Sequence, residues 1–201
     1  MGKFIVFEGI DGSGKSTQID LLGEYLNSKG IDFVQTREPG GTELAENLRK
    51  IMLEEKIDGM TEMLVVLAAR NDHIQKFIKP NLSSGKWVIC DRFTDSTIAY
   101  QGFARGISMN LIEKLSSLIE NQIIINKIIF LDIDPEVAIE RIRSRNKTFD
   151  KFDSENINFF QLVREGFKYA SLSRKENSLW VDGSKPSNKI FELIKNSLFN
   201  N

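Results

Sequence analysis

Gly9-Ile10-Asp11-Gly12-Ser13-Gly14-Lys15-Ser16 follows the apolar run Phe4-Ile5-Val6-Phe7 and precedes a stretch carrying Ile19, Leu22 and Leu26 at helical spacing. The pattern G-x-x-x-x-G-K-[ST], set between a buried strand and an amphipathic helix, is that of a phosphate-binding loop. Glycines let the backbone wrap closely enough for N–H groups to point at an anion, and the helix N-terminus behind them adds its dipole. Lys15 is placed to reach β- and γ-phosphate oxygens and the Ser16 hydroxyl to ligate Mg²⁺, with Thr17 continuing the first helical turn. Gly9 through Thr17 is therefore the expected nucleoside triphosphate site, with Mg²⁺ as cofactor. The loop points to a nucleoside triphosphate and leaves the reaction open.

Working outward, short apolar runs alternate with longer amphipathic ones. Strands are expected at residues 4–7, 32–35, 87–90, 128–131 and 179–181; the first, third and fourth are continuously apolar, as strands buried on both faces should be. Helices are expected at residues 16–28, 157–171 and 188–198, and from the Asp134-Pro135 N-cap pair to about Arg145. Further amphipathic helical stretches lie near residues 61–79 and 94–118. This alternation predicts an α/β fold, a five-stranded parallel sheet with helices on both faces. No repeat or linker divides residues 1–201, so a single domain is expected. Residues 143–155 are polar and charged without a period, and a short lid is expected over roughly 141–155.

Composition narrows the function. The 201 residues hold 27 Lys plus Arg against 28 Asp plus Glu, a formal net charge of −1. That balance argues against non-specific grip on nucleic acid, which usually needs a basic excess. Cys90 is the one cysteine and His73 the one histidine, so neither an intramolecular disulfide nor a cysteine metal cage can form, and each reads as a structural or surface residue. The apolar run at the N-terminus is too short for a signal peptide, and no stretch approaches the roughly 18–20 apolar residues of a membrane span. A cytoplasmic location is expected.

Regulatory GTPases read guanine through N-K-x-D. Asn126-Lys127-Ile128-Ile129 and Asn146-Lys147-Thr148-Phe149 both lack the aspartate. Asp91-Arg92 instead ends the third strand, at the carboxyl edge where open α/β sheets bind ligands. Arg37, Arg49, Arg70, Arg141, Arg143 and Arg145 lie in or near segments leaving that edge, which suits a second anionic substrate.

Five stretches, in order, resemble thymidylate kinases. They are Phe7-Glu8 through Thr17; Thr36-Arg37-Glu38-Pro39-Gly40-Gly41-Thr42 with Asn47-Leu48-Arg49; Thr61-Glu62-Met63-Leu64 leading to Ala68-Ala69-Arg70; Asp91-Arg92-Phe93 with Ser96 and Ala99-Tyr100-Gln101-Gly102; and Phe159-Phe160 with Val163-Arg164-Glu165-Gly166. The resemblance implies a P-loop kinase fold, a homodimer, and phosphorylation of dTMP to dTDP by Mg-ATP in dTTP biosynthesis. It implies that Arg49 and Arg92 hold the dTMP phosphate and that Arg70 and Gln101 address the thymine edge, with Ser96 and Thr97 close to the base. It places Tyr100 against the deoxyribose and Val66 beside the base, and has Asp11 orient substrate or Arg92. A primary amide offers a donor and an acceptor to an imide, and arginine holds phosphate bidentately. Ser16 and Asp91 would serve the metal. Neighbouring nucleoside monophosphate or deoxynucleoside kinases, and a non-enzymatic switch, are the alternatives.

Two departures stand out. Some members carry an arginine at the position of Gly12; its absence leaves Arg141, Arg143, Arg145, Lys147 and Lys151 to supply charge to the transferred phosphoryl, with Arg143 and Arg145 as catalytic candidates beside Lys15, Asp91 and Arg92. Val66 stands where an aromatic ring is common. The acceptor phosphate is largely ionised at neutral pH, its second pKa being about 6, so positioning and electrostatics carry the reaction without a general base.

Overall fold

The structure, a computed structural model, describes residues 2–121, 123–144 and 155–199. Five strands, β1 (Phe4–Glu8), β2 (Phe33–Arg37), β3 (Trp87–Asp91), β4 (Lys127–Asp132) and β5 (Ser178–Asp182), form one parallel sheet in the order β2-β3-β1-β4-β5. The three apolar runs occupy the three central positions, where both faces are covered.

Period-two alternation then divides the core. Phe4, Val6, Val88, Cys90, Ile128 and Phe130 face one side, and Ile5, Phe7, Ile89, Ile129 and Leu131 face the other. The second side is covered by α1 (Lys15–Ser28) and α9 (Ser187–Phe199) through Leu22, Leu26, Ile190 and Ile194. The first is covered by α2 (Glu43–Glu54), α3 (Gly59–His73), α6 (Met109–Glu120), α7 (Pro135–Arg143) and α8 (Ile157–Ser173). Leu22 is fully buried, so Leu22→Ala should cost about 2–5 kcal/mol.

The remaining helices are short: α4 (Lys79–Ser83) continues α3 through a π-helical stretch at Ile74–Ile78, and α5 (Thr94–Thr97) runs into a second at Ile98–Ala104. The helical stretch expected near 94–118 is thus corrected. It breaks between Ala104 and Met109, where Gly106 turns at a φ of 75°. The helix opened by Asp134, whose side chain accepts from the Glu136 N–H, ends at Arg143; Arg145 lies outside the described residues. Sequence periodicity also missed α2, capped by Thr42 and bearing Arg49.

Register places the site. Phe7 lies beside Asp91 in the β1–β3 pairing, so the loop leaving β1 and the Asp91-Arg92 corner emerge side by side at the carboxyl edge.

Candidate active site

The loop between β1 and α1 turns at Gly9, Gly12 and Gly14, whose φ angles of 139°, 81° and 98° favour glycine. Lys15 lies beneath it, 5% exposed, its Nζ donating to the Gly9 and Ile10 carbonyls at 3.0 and 3.2 Å. Burial lowers its pKa and Arg92 adds to the effect, while Asp91, Asp11 and Glu8 oppose it. At Gly12 a Cβ would come within 2.7 Å of the Ala138 carbonyl. An arginine there would collide with α7, which occupies that space and sends its own Arg141 back to the loop. The Arg141 Nη1 donates to Gly12 O at 3.2 Å and to Gly183 O at 3.3 Å, tying the loop to the β5–α9 turn.

Ser16 and Asp91 face one hollow, together with Thr36 and Arg37. The Asp91 Oδ1 is buried without a hydrogen-bond partner among the described residues, and the Lys15 ammonium lies 3.9 Å away. A carboxylate and a hydroxyl are hard oxygen donors of the kind Mg²⁺ takes. No cluster of three His, Cys, Asp or Glu able to hold an ion occurs among the described residues. Phosphate oxygens and water would have to complete a shell there, as is usual for Mg²⁺ with nucleotides.

Arg92 adopts a φ of 72°, strain of roughly 1–3 kcal/mol for a residue with a Cβ. The corner is held by its own N–H donating to Phe7 O and by the Cys90 thiol donating to Arg92 O at 3.1 Å. Its guanidinium lies over the Tyr100 ring, with Nη2 donating to Asp11 Oδ1 at 2.8 Å and Nη1 to Ser96 Oγ at 3.2 Å. Burial alone would raise the Asp11 pKa, but Arg92 and Lys15 outweigh it and hold the carboxyl well below its ordinary value.

Glu8, not singled out in the sequence, organises this corner. Its Oε1 accepts from the Phe93 and Ser96 N–H groups at 2.8 and 3.2 Å, and its Oε2 accepts from the Ser96 hydroxyl at 2.6 Å. Complete burial, with the Asp95 charge nearby, pushes its pKa up to about 8 against the opposing effect of those donors and Arg92.

Beside the loop opens a cleft of about 600 Å³, part of it reaching solvent. Asp11, Arg49, Val66, Arg70, Arg92, Ser96, Thr97, Tyr100 and Gln101 all line it, with Glu38, Pro39, Met52, Leu53 and Phe93. The nine residues assigned by resemblance to the acceptor therefore share one cavity. Arg49 donates to Pro39 O at 3.1 Å. Tyr100 is 7% exposed; burial raises its phenol pKa, with Arg92 opposing.

Arg70 is pinned in place. Its Nε donates to Glu38 Oε2 at 2.7 Å and its Nη2 to Phe93 O and Thr97 Oγ1, each at 3.0 Å. Its Nη1 lies 3.5 Å from Glu120, whose carboxylate also accepts from Thr94. His73, read from the sequence as a structural or surface residue, is fully buried between Glu38 (2.9 Å) and Thr36 (2.7 Å), and so belongs to the support of Arg70. The signal for it was its place three residues after Arg70, on one helical face.

The remaining candidates lie farther out. Arg143 is exposed in the last turn of α7, and Arg145, Lys147 and Lys151 lie outside the described residues. Arg37 forms an exposed pair with Glu46 at 2.7 Å, a contact worth at most about 1 kcal/mol. Arg164 clamps α8 to the end of β4 by a bidentate pair with Asp132 at 2.6 and 2.8 Å.

The chain is similar to known proteins along nearly its whole length. The family model described as thymidylate kinase matches residues 7–194. The thymidylate kinase of Caldicellulosiruptor saccharolyticus is 47% identical, the match covering 96% of this chain and 94% of that protein. That of Teredinibacter turnerae is 45% identical, over 98% of this chain and 97% of that one. The crystal structure of thymidylate kinase from Ehrlichia chaffeensis superposes with a TM-score of 0.80 at 34% identity, covering 98% of each chain. These matches along nearly the whole length, on a chain whose phosphate-binding loop grips an arginine beside a partly open cleft, assign it to the thymidylate kinase family.

Proposed function

We propose that this chain phosphorylates dTMP to dTDP with Mg-ATP, using the cleft beside the phosphate-binding loop as the acceptor site. The observation that carries the reading is the ion pair between Arg92 and Asp11, which ties the floor of that cleft to the loop. ATP phosphates would lie in the N–H groups of Gly9 to Thr17, with Lys15 leaving the loop carbonyls for the β- and γ-oxygens. Arg49 and Arg92 would take the dTMP phosphate, Tyr100 the sugar, and Val66, Arg70, Ser96, Thr97 and Gln101 the base. Mg²⁺, held through Ser16 and Asp91, would supply counter-charge to the triphosphate. The acceptor phosphate is mostly ionised at pH 7, so the residues act by orientation and charge. Arg143 and Arg145 would bring positive charge to the transferred group.

The same proposal includes a homodimer in the cytoplasm. Leu44 and Ile51 on α2, and Met60 and Leu64 on α3, are exposed apolar side chains on two packed helices. No helix among the described residues is long and apolar enough to cross a membrane. Light scattering on the purified protein reads the dimer directly. A coupled assay of ADP release, with dTMP, dUMP, dCMP, dGMP and dAMP in turn and with none, tests the activity. Turnover must depend on dTMP and on Mg²⁺. ADP release indifferent to every acceptor would overturn the reading.

A further inference from the structure

Gln101 sits in the π-helical stretch Ile98–Ala104, 3% exposed, on the wall of the acceptor cleft. Its Nε2 donates to Glu62 Oε1 at 2.9 Å. Glu62 comes from α3, is 1% exposed, and has the Arg105 guanidinium 3.6 Å away. Arg105 in turn bonds Glu155 at 2.7 Å and lies over the Phe159 ring.

An amide can turn over and exchange its donor and acceptor ends; a carboxylate can only accept. Glu62 removes that freedom, since it matches the nitrogen end of Gln101 and repels the oxygen end. Among the described residues no hydrogen bond ends on the Gln101 Oε1, and that oxygen is not enclosed. Gln101 therefore presents an acceptor to the cleft, beside Arg70, which can only donate. We infer that Glu62 is a specificity-determining positioning residue that fixes the Gln101 amide so that the cleft takes the imide edge of thymine or uracil and rejects the amino edge of cytosine. The imide offers an N–H to Gln101 and a carbonyl to Arg70. Cytosine reverses both, setting acceptor against acceptor and donor against donor. The inference rests on placing the base in this cleft, as proposed above.

Glu62→Gln, nearly isosteric, tests it. A glutamine at 62 can meet either end of the Gln101 amide, so the lock is lost while the shape is kept. The kcat/KM ratio of dTMP over dCMP should fall about tenfold, mostly through a higher KM for dTMP, as expected when a buried polar contact is mismatched. Melting temperature should move little. Gln101→Ala and the double variant complete a cycle: Glu62→Gln should have almost no further effect on selectivity once Gln101 is gone. An unchanged ratio in Glu62→Gln, or additive effects in the cycle, would overturn the inference while leaving the base where it was placed. An unchanged dTMP KM in Gln101→Ala would overturn that placement, and the inference with it.

Discussion

Asp11 and Arg92 hold each other at 2.8 Å across the gap between the phosphate-binding loop and the end of the third strand. One residue belongs to the phosphate-binding loop and the other to the end of β3, and both line the cleft, so the pair ties the loop to the strand end. Asp11→Asn keeps a hydrogen-bond acceptor but removes the charge that aims Arg92. The expected result is a fall of about tenfold in kcat/KM for dTMP, with a smaller change in the KM for ATP. Steady-state kinetics with each substrate varied in turn measures both.

The Lys15 ammonium donates to two carbonyls of its own loop. Lys15→Ala should lower kcat by about 10²–10³, the usual loss for one preorganised charge contact. The melting temperature should drop as well, because two internal hydrogen bonds vanish with the ammonium. Retention of more than a few per cent of activity would show that the lysine does not reach the phosphates.

Glu8 gives the protein a pH signature. Folded Glu8 keeps its proton to about pH 8, whereas an ordinary glutamate releases it near 4.5, so the folded state binds more protons between those values. Its contribution to stability is therefore present at low pH and is lost as pH rises through that window. Glu8→Gln should flatten the decline in urea midpoint between about pH 5 and 8.5. Its Oε1 can still accept from Phe93 and Ser96, so the fold should survive. Parallel curves for the two proteins would remove Glu8 from the titration.

Much of this architecture could be read from the chain before any coordinates. The runs at 4–7, 87–90 and 128–131 are apolar without interruption because both faces of the middle strands are covered, and the loop at 9–16 marks its own strand and helix. What escaped was set by tertiary contacts. Gly106 interrupts a pattern that looked helical through residue 118, and only packing decides that the turns at 74–78 and 98–104 widen. The polar residues of the cleft were legible as residue types. The carboxylates that hold them, Glu8 on Ser96, Glu38 on Arg70 and Glu62 on Gln101, were not, because a buried glutamate has the same letter as a solvated one. The space beside Gly12 could likewise be judged only once α7 was seen against it.

Val66 lines the acceptor cleft with Met52, Leu53 and Phe93 and is 6% exposed. Base–aromatic stacking is worth about 1–3 kcal/mol in single-strand sites, and an aliphatic contact supplies only part of it. Val66→Phe should lower the KM for dTMP by a few-fold to about tenfold and leave that for ATP unchanged. Overpacking, at roughly 1–3 kcal/mol, would instead lower affinity and melting temperature together. A stable variant with unaltered dTMP affinity would mean the base lies elsewhere.

The two described arginines of α7 should separate by kinetics. Arg141 is engaged with Gly12 and Gly183, so Arg141→Ala should disturb the loop and raise the KM for ATP. Arg143 is exposed at the C-terminal end of α7. Arg143→Ala should lower kcat and kcat/KM together, the mark of a contact made only at the transition state. Normal kcat in that variant would assign the charge to another residue.

The strand that carries the phosphate-binding loop is the first in the chain and the middle one in the sheet. Its neighbours, β3 and β4, begin at Trp87 and Lys127. During synthesis at about 5–20 residues per second, Phe4–Phe7 must therefore wait on the order of ten seconds for both its edges to be covered. Through that interval a continuously apolar strand is an open template for pairing with other chains. The phosphate-binding loop is thus made well before both strands that flank its own, and a chain cut short before Lys127 is expected to leave one edge of β1 unpaired and prone to association.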